Sequence, residues 1–244
     1  LTITKAALTI TADSASKEYD GTALTDDGWQ DTAPAGLKGE DKVESVTVTG
    51  TITEVGTEDN VPSAAKVVDG EEDVTANYTI TYVNGTLAIT TSTKELKVVA
   101  NSNTWEYDSE EHADGGYTVT YGEESHTVAA GESATLSTGD KVTATITATV
   151  KNVADIIADN NKIVTLVVEN EEQYATIEKV DGTLTITKAP LTITAKSQSY
   201  TYNGKYQGED GATYTTNLDA KVTVSGLVGS DRLTGITLDG SEKD

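Results

Sequence analysis

The sequence predicts an all-β protein in which small tandem domains follow one another end to end as an elongated rod. Three observations predict it: the strand sequence LTIT recurs, helical periodicity is nearly absent, and the 244 residues include no Cys, Met or Phe. The core must therefore come from Val, Ile, Leu, Ala and 11 Tyr, with Trp29 and Trp105. β-Branched residues and Tyr suit half-buried strands. Each domain is expected to be sandwich-like, as in immunoglobulin-like folds, or a β-grasp-like sheet.

The repeats are marked by pairs of LTIT-like strands. The first strand of each pair begins at Leu1, Leu87 and Leu184, and the second begins at Leu8, Leu96 and Leu191. A fixed period of this kind indicates tandem domains. The predicted division is a closing strand and junction at 1–7, a first repeat at 8–91, a second at 92–188 and a third, incomplete at its C-terminal end, at 189–244. The short linker Lys188-Ala189-Pro190 favours a stiff connection between repeats.

Two turn signals recur in the same order within each repeat. The first is an aromatic turn, Tyr19-Asp20-Gly21, Tyr107-Asp108-Ser109 and Tyr202-Asn203-Gly204. Because Asp-Gly and Asn-Gly favour positive φ, we predict tight turns with the tyrosine packed inward. The second is a Gly-x-Asp element ending at Asp41, Asp140 and Asp231, shortened by one residue in the second repeat. These aspartates are expected to organise the turn through nearby backbone N–H groups.

The remaining pattern of each complete repeat indicates strands. Residues 46–53 and 142–150 alternate apolar and Thr-rich positions, as expected of strands with one buried face. Asn84-Gly85 and Asp181-Gly182 lie between alternating segments and predict a closing hairpin. Residues 152–160 and 63–69 are interpreted as loop or short helix.

These motifs resemble the MBG and YDG repeat domains of bacterial adhesins. The resemblance rests on Tyr19-Asp20-Gly21, on the Gly-Leu-x-Gly-x-Asp element at 36–41 and 226–231, and on the segments 77–87 and 184–194. It implies a long, secreted surface protein whose tandem β domains form a stalk below an adhesive domain. It implies no catalytic residues. The second repeat departs from the pattern at Ser109 and at Thr138-Gly139-Asp140, so its turns are expected to differ.

The charge and the absence of cysteine exclude several kinds of site. A net charge of −23 repels phosphate backbones and anionic headgroups, so neither nucleic acid binding nor membrane insertion of this segment is expected. Without Cys there is no disulfide, thiolate nucleophile or zinc–thiolate site. The expected location is extracellular, at the surface or cell wall of a Gram-positive bacterium. Because residue 1 already lies in a repeat motif, we expect an internal segment, with the export signal and wall anchor elsewhere.

Candidate sites are few, and each has a simpler structural explanation. The two histidines, His112 and His126, lack the signature of a catalytic triad, and we predict that the chain is not an enzyme. No cofactor is expected; calcium ligands, if any, would come from the acidic run Asp69, Glu71, Glu72 and Asp73. Further acidic pairs lie at 40–41, 58–59 and 209–210. Lys97 is the candidate for an isopeptide cross-link, and Trp29 and Trp105 for a sugar-binding platform.

The predicted function is that of a structural stalk segment of an adhesin-like surface protein, projecting a distal binding domain. The alternative is that the segment itself binds host glycans or proteins. Its expected partners are the neighbouring repeats of the same polypeptide, and a monomer is expected. A further hypothesis is that residues 1–5 of one molecule complete the third repeat of another by strand addition.

Overall fold

The computed structural model describes residues 1–30 and 36–242, so residues 31–35 of the predicted first repeat and 243–244 of the third lie outside the described residues. Strands hold 51% of the chain and helices 6%, which confirms the all-β prediction. The strands in chain order are β1 (Ala6–Thr11), β2 (Ala15–Glu18), β3 (Lys42–Thr49), β4 (Gly56–Asp69), β5 (Glu72–Asp73), β6 (Tyr78–Val83), β7 (Gly85–Thr90), β8 (Leu96–Ala100), β9 (Asn103–Glu106), β10 (Tyr117–Tyr121), β11 (Glu124–Val128), β12 (Ala134–Thr135), β13 (Lys141–Thr147), β14 (Lys162–Val168), β15 (Ile177–Val180), β16 (Leu184–Thr187), β17 (Thr192–Ala195), β18 (Gln207–Tyr214), β19 (Val222–Ser225) and β20 (Ile236–Glu242). The short helices are α1 (Leu218–Lys221) and three 3-10 turns, Thr75–Asn77, Val153–Asp155 and Glu171–Gln173.

The chain forms two compact units. Unit 1 contains Leu1–Val99, Gly116–Thr145 and Ile163–Val180, and unit 2 contains Ala100–Gly115, Ile146–Lys162 and Asp181–Asp244. The second predicted repeat, 92–188, therefore contributes residues to both units. In unit 1 the sheets have the orders β2-β7-β4-β3, with β5 beside β4, and β11-β10-β8-β15. Unit 1 also contains the pair β1-β6, and unit 2 the pairs β9-β16, β17-β19 and β18-β20.

The first and last strands of each complete repeat run parallel in one continuous register. In the first repeat β1 pairs with β6 and β2 with β7, and partner numbers differ by 72 in both pairs. In the second repeat β8 pairs with β15 and β9 with β16, and the difference is 81 in both. In each complete repeat the last two strands therefore pair with the first two, and a short unpaired stretch separates the two parallel pairs.

The predicted closing hairpin is wrong. Residues on either side of Asn84-Gly85 continue in one direction as β6 and β7, and both strands pair with the opening strand instead of with each other. Glycine is needed there for space: a Cβ added at Gly85 would lie 2.0 Å from the carbonyl oxygen of Asp13. At Gly182 the same atom would lie 2.0 Å from the carbonyl oxygen of Asn101. The two backbones therefore approach too closely for any side chain.

The other strand predictions are mostly confirmed. Alternation at 142–150 corresponds to β13, whose Val142, Ala144 and Ile146 are buried. Residues 46–53 form β3 only as far as Thr49. Residues 63–69, interpreted as loop or short helix, belong instead to β4, because Ala65 and Val67 pack with Leu8 and Ile10 in the core of unit 1. The segment 152–160 does contain a short 3-10 turn, capped reciprocally by Asn152 and Asp155.

Within its described residues, 189–242, the third repeat has no parallel closing strand. Its opening strand β17 pairs antiparallel with β19, and β18 pairs antiparallel with β20. Leu191 and Ile193 are exposed, whereas their counterparts Leu8 and Ile10 are buried in the first repeat.

Candidate functional site

All three aromatic turns adopt the predicted tight geometry. The third residue of each has positive φ, at 78° for Gly21, 67° for Ser109 and 71° for Gly204. The side-chain oxygen of the preceding Asp or Asn accepts a hydrogen bond at 2.9 Å from the N–H two residues on, in Thr22, Glu110 and Lys205. This Asx turn fixes the direction of the tyrosine before it. Ser109 shows that the second repeat keeps the turn despite lacking glycine.

In unit 1, the turn tyrosine of the first repeat meets the Gly-x-Asp element of the second. The Tyr19 hydroxyl donates to the Asp140 carboxylate at 2.9 Å. The hydroxyl of Tyr174, near the end of the second repeat, donates to the same oxygen at 2.5 Å. Thr138 Oγ1 and Asn170 Nδ2 also donate to this carboxylate, at 3.1 and 2.8 Å. We call this arrangement the first junction.

The first junction is shielded from water. Asp140 is only 4% exposed, and Tyr19 and Tyr174 are 6% exposed. The two rings pack edge to face at 6.0 Å, and Tyr121 packs against Tyr174 in the same way at 5.5 Å. Such aromatic contacts fix the ring positions as well as burying apolar surface.

Burial and the neighbouring carboxylate keep the junction tyrosines protonated. Burial, followed by hydrogen bonding to Asp140, raises the pKa of Tyr19 to about 12. The same two causes raise the pKa of Tyr174 well above its ordinary value. Both hydroxyls therefore remain donors throughout the neutral range.

Two further contacts in unit 1 join the first repeat to the second. Gln173 is buried; its Oε1 accepts from the N–H of Val55 at 2.6 Å, and its Nε2 donates to Glu54 at 3.0 Å. Glu18 accepts from the backbone N–H of Thr93 at 3.2 Å and from its hydroxyl at 3.0 and 3.1 Å. Polar groups of the first repeat thus find their hydrogen-bond partners in the second repeat.

Unit 2 contains the corresponding contact between the second and third repeats. The Tyr107 hydroxyl interacts with the carboxylate of Asp231, and this interaction, followed by burial, raises the pKa of Tyr107. Ser109 faces Gly229, where an added Cβ would lie 2.1 Å from the serine Oγ. We call this arrangement the second junction. It repeats the pairing of a turn tyrosine with the aspartate of the next repeat.

The role predicted for the repeated aspartates is wrong. The expectation was that they bond nearby backbone N–H groups, but tyrosine hydroxyls donate to Asp41 and Asp140, and Asp231 interacts with the hydroxyl of Tyr107. In the first repeat the donor to Asp41 is Tyr78, the counterpart of Tyr174. In the sequence, Tyr78 was noted only as part of the segment 77–87, and neither tyrosine was given a role of its own. The signal that could have identified them is the recurrence of Tyr and Asp together in every complete repeat.

The histidines occupy separate local environments. His112, in unit 2, stacks on Trp105 at 4.8 Å, and its Nε2 lies 3.0 Å from the Asp108 carboxylate of the turn. His126 lies on β11 in unit 1, with its Nε2 3.6 Å from Glu124. Neither side chain is placed beside a serine nucleophile by these contacts.

The remaining candidate residues lie on surfaces. Asp69, Glu71, Glu72 and Asp73 belong to the β4–β5 hairpin, and within residues 1–30 and 36–242 no group of three acidic or histidine side chains could hold a metal ion. The acidic pairs at 58–59 and 209–210 lie on β4 and β18. Lys97 forms an ion pair with Glu178 at 2.8 Å across the β8–β15 pair. Trp29 is half-buried and bridges to Ala12, whereas Trp105 lies on β9.

Comparison of the chain with protein-family models, with curated proteins and with solved structures finds no match in any of the three. Over the described part of the chain, the helices are all too short or too polar to cross a membrane.

Proposed function

We propose that this chain is a spacer segment of a secreted, adhesin-like protein on the surface of a Gram-positive bacterium. In this role its β repeats follow one another end to end as a stalk and project a distal binding domain. The observation that carries the proposal is the repeated junction, in which a turn tyrosine of one repeat meets the aspartate of the next.

The chemistry of the first junction favours a structural role over a catalytic one. Four donors of the protein itself converge on the buried Asp140 carboxylate, so its oxygens are engaged within the fold and not presented to a substrate. The raised tyrosine pKa values point the same way, because a general base needs a pKa near the operating pH. Fixed, satisfied polar contacts hold neighbouring domains in one orientation, as a stalk requires.

The charge suits a crowded extracellular polymer. A net charge of −23 makes neighbouring chains repel one another and keeps them soluble. Disulfides are absent because the chain has no Cys, so hydrogen bonds and apolar packing must provide resistance to tension.

Small-angle X-ray scattering tests the end-to-end arrangement. A compact particle of 244 residues would have a radius of gyration of about 18 Å. We expect a clearly larger value, obtained from a dilution series extrapolated to zero concentration. A value near that of the compact particle would contradict the stalk. Specific signals on a glycan array or in pull-downs with host proteins would instead favour a binding module.

A further inference from the structure

We infer that the edge of β14, in the second repeat, binds an extended segment of another protein as an added antiparallel strand. The expected segment has a basic residue at its N-terminal end, apolar side chains in its middle and an acidic residue at its C-terminal end. This inference goes beyond the proposed stalk, because a spacer needs no ligand. The residues that form the site belong to unit 1, where strands of both complete repeats can be compared.

Two edge strands of the second repeat line one groove. β14 is the terminal strand of the sheet β12-β13-β14, and β15 is the terminal strand of the sheet β11-β10-β8-β15. The groove has a volume of about 550 Å³ and is lined by Leu166 and Val168 of β14 and by Ile177 and Lys179 of β15. Val167, also on β14, is 63% exposed. The edge of a strand is a template for pairing with another chain.

The edge of β14 has an equivalent in β4 of the first repeat. Val68 of β4 pairs with Lys42, and Glu169, which follows β14, donates its N–H to the carbonyl oxygen of Lys141 at 2.9 Å. Lys42 and Lys141 each follow the aspartate of the Gly-x-Asp element. Equivalent positions in β4 and β14 therefore differ by 101. The counterparts of Ala65 and Val67 are Leu166 and Val168.

In the first repeat this edge is covered by the chain itself. β5 lies beside the end of β4, and the N–H of Val74 donates to the carbonyl oxygen of Val67 at 2.9 Å. The hydroxyl of Thr75 accepts from the N–H of Val67 at 2.8 Å. The hydroxyl of Tyr82 accepts from the N–H of Ala65 at 2.9 Å. Val67 is fully buried as a result.

The second repeat, all of whose residues the structure describes, leaves the same edge open. After β14 the chain enters the 3-10 turn Glu171–Gln173 within two residues, so it has no counterpart of β5. Lys179 stands where the first repeat has Tyr82, in each case two residues after the isoleucine opposite the first leucine of the opening strand. Lys179 is exposed. The shorter loop and the lysine together uncover the edge of β14.

The charges around the groove indicate which segment fits. Glu171 and Glu172 line the groove beyond the end of β14, and Lys179 lines it from β15. An antiparallel segment runs against β14, so its N-terminal end meets the two glutamates, where Lys or Arg is complementary. Its C-terminal end meets Lys179, because the tyrosine at that position in the first repeat reaches the equivalent of Leu166. Main-chain hydrogen bonds to the edge then supply affinity, and the side chains supply specificity.

Titration of the isotopically labelled chain with the peptide acetyl-Lys-Lys-Val-Thr-Val-Thr-Glu-amide, followed by NMR, tests the inference. We expect a dissociation constant below about 1 mM, with the largest chemical-shift changes at the amides of β14 and β15. The peptide of reversed sequence has the same composition but places its charges at the wrong ends. It should bind at least about fivefold more weakly.

Two variants test the site, each with a matched control. Lys179→Tyr rebuilds the cover of the first repeat, because its hydroxyl can accept from the N–H of Leu166, and should weaken peptide binding by at least about tenfold. Lys151→Tyr makes the same change at an exposed lysine outside the groove and should bind like the parent chain. Glu171→Lys should weaken binding about fivefold at low salt, whereas Glu111→Lys, at another exposed glutamate, should not.

The inference is overturned if the peptide causes no shift changes up to about 1 mM, or if the changes lie outside β14 and β15. It is also overturned if Lys179→Tyr and Glu171→Lys bind as strongly as the parent chain. These results leave the scattering test of the stalk unaffected, because that test measures the chain without peptide. Conversely, a compact particle in scattering that still binds the peptide at β14 would contradict the stalk alone.

Discussion

Replacing Asp140 with alanine should destabilise the protein strongly, because four donors lose their shared acceptor. The Tyr19 and Tyr174 hydroxyls are buried and cannot turn to water. A hydrogen bond to a charged group contributes about 1.5–3 kcal/mol, so these two bonds together represent about 3–6 kcal/mol. Part of this is offset because the variant no longer buries a charge. We expect a net loss of about 3 kcal/mol in the free energy of unfolding.

Urea unfolding followed by tryptophan fluorescence measures both the loss and its location. Each complete predicted repeat contains one tryptophan, Trp29 in the first and Trp105 in the second. Single-tryptophan variants, made by replacing the other with Phe, therefore report on one repeat at a time. In the parent chain the two transitions should coincide. In Asp140→Ala they should separate, because the junction that couples the two repeats has lost its acceptor.

Asp210→Ala is the control, since Asp210 is an exposed aspartate of the same chain. Its effect should remain within about 0.5 kcal/mol, as for ordinary surface substitutions. A double-mutant cycle of Asp140→Ala with Tyr19→Phe should give a coupling energy of at least about 1 kcal/mol, since the residues are in direct contact. The reasoning is refuted if Asp140→Ala costs less than about 1 kcal/mol or if the cycle shows additivity.

Three further predictions follow from the same contacts. The free energy of unfolding should be unaffected by junction tyrosines below pH 10 and should fall from pH 10 towards 12. In this range the unfolded chain releases phenolic protons that the folded junction retains, so the free energy of unfolding falls by about 1.4 kcal/mol per pH unit for Tyr19. Urea unfolding between pH 9 and 12 measures this slope, and a slope equal to that of a Tyr19→Phe chain would contradict the prediction. Gly182→Ala should cost about 2 kcal/mol or more by calorimetry, since its Cβ would lie 2.0 Å from a carbonyl oxygen, whereas Gly235→Ala, with 3.3 Å to the nearest atom, should cost clearly less. Tyr107→Phe should weaken the second junction and lower the midpoint of the Trp105 transition, because Tyr107 and Trp105 both belong to unit 2; an unchanged Trp105 midpoint would contradict this.

Local chemistry made the turns and strands predictable. Asp-Gly and Asn-Gly favour positive φ, and the turns at Gly21 and Gly204 have it. Strand alternation at β13 likewise reflects one buried face. The closing hairpin was mispredicted because the same dipeptide serves two purposes. At Gly85 the absence of a side chain matters for the approach of a distant strand, which no local pattern reveals.

The first junction was out of reach of local reasoning for a related reason. Tyr19 and Asp140 are separated by 121 residues, and each has a sufficient local explanation as a turn residue. Only their recurrence carries the long-range information. A tyrosine before an Asx turn and an aspartate after a glycine appear in every repeat, so a contact made once within the array is expected to be made again.

The two junctions also show how the contact survives changes in sequence. Where the first junction has Gly21 in the turn, a threonine backbone fills the space, and an added Cβ would lie 2.0 Å from the Thr138 carbonyl oxygen. Where the second junction has Ser109 in the turn, glycine stands opposite at Gly229. The close contact is thus made by backbone atoms of Thr138 at the first junction and by the Ser109 side chain at the second. The departure of the second repeat from the Tyr-Asp-Gly pattern is therefore matched by a compensating glycine in the third. Ser109→Thr should accordingly disrupt the second junction. In both junctions the tyrosine and the aspartate set the distance between the two segments, and the residues at the close contact must fit that distance.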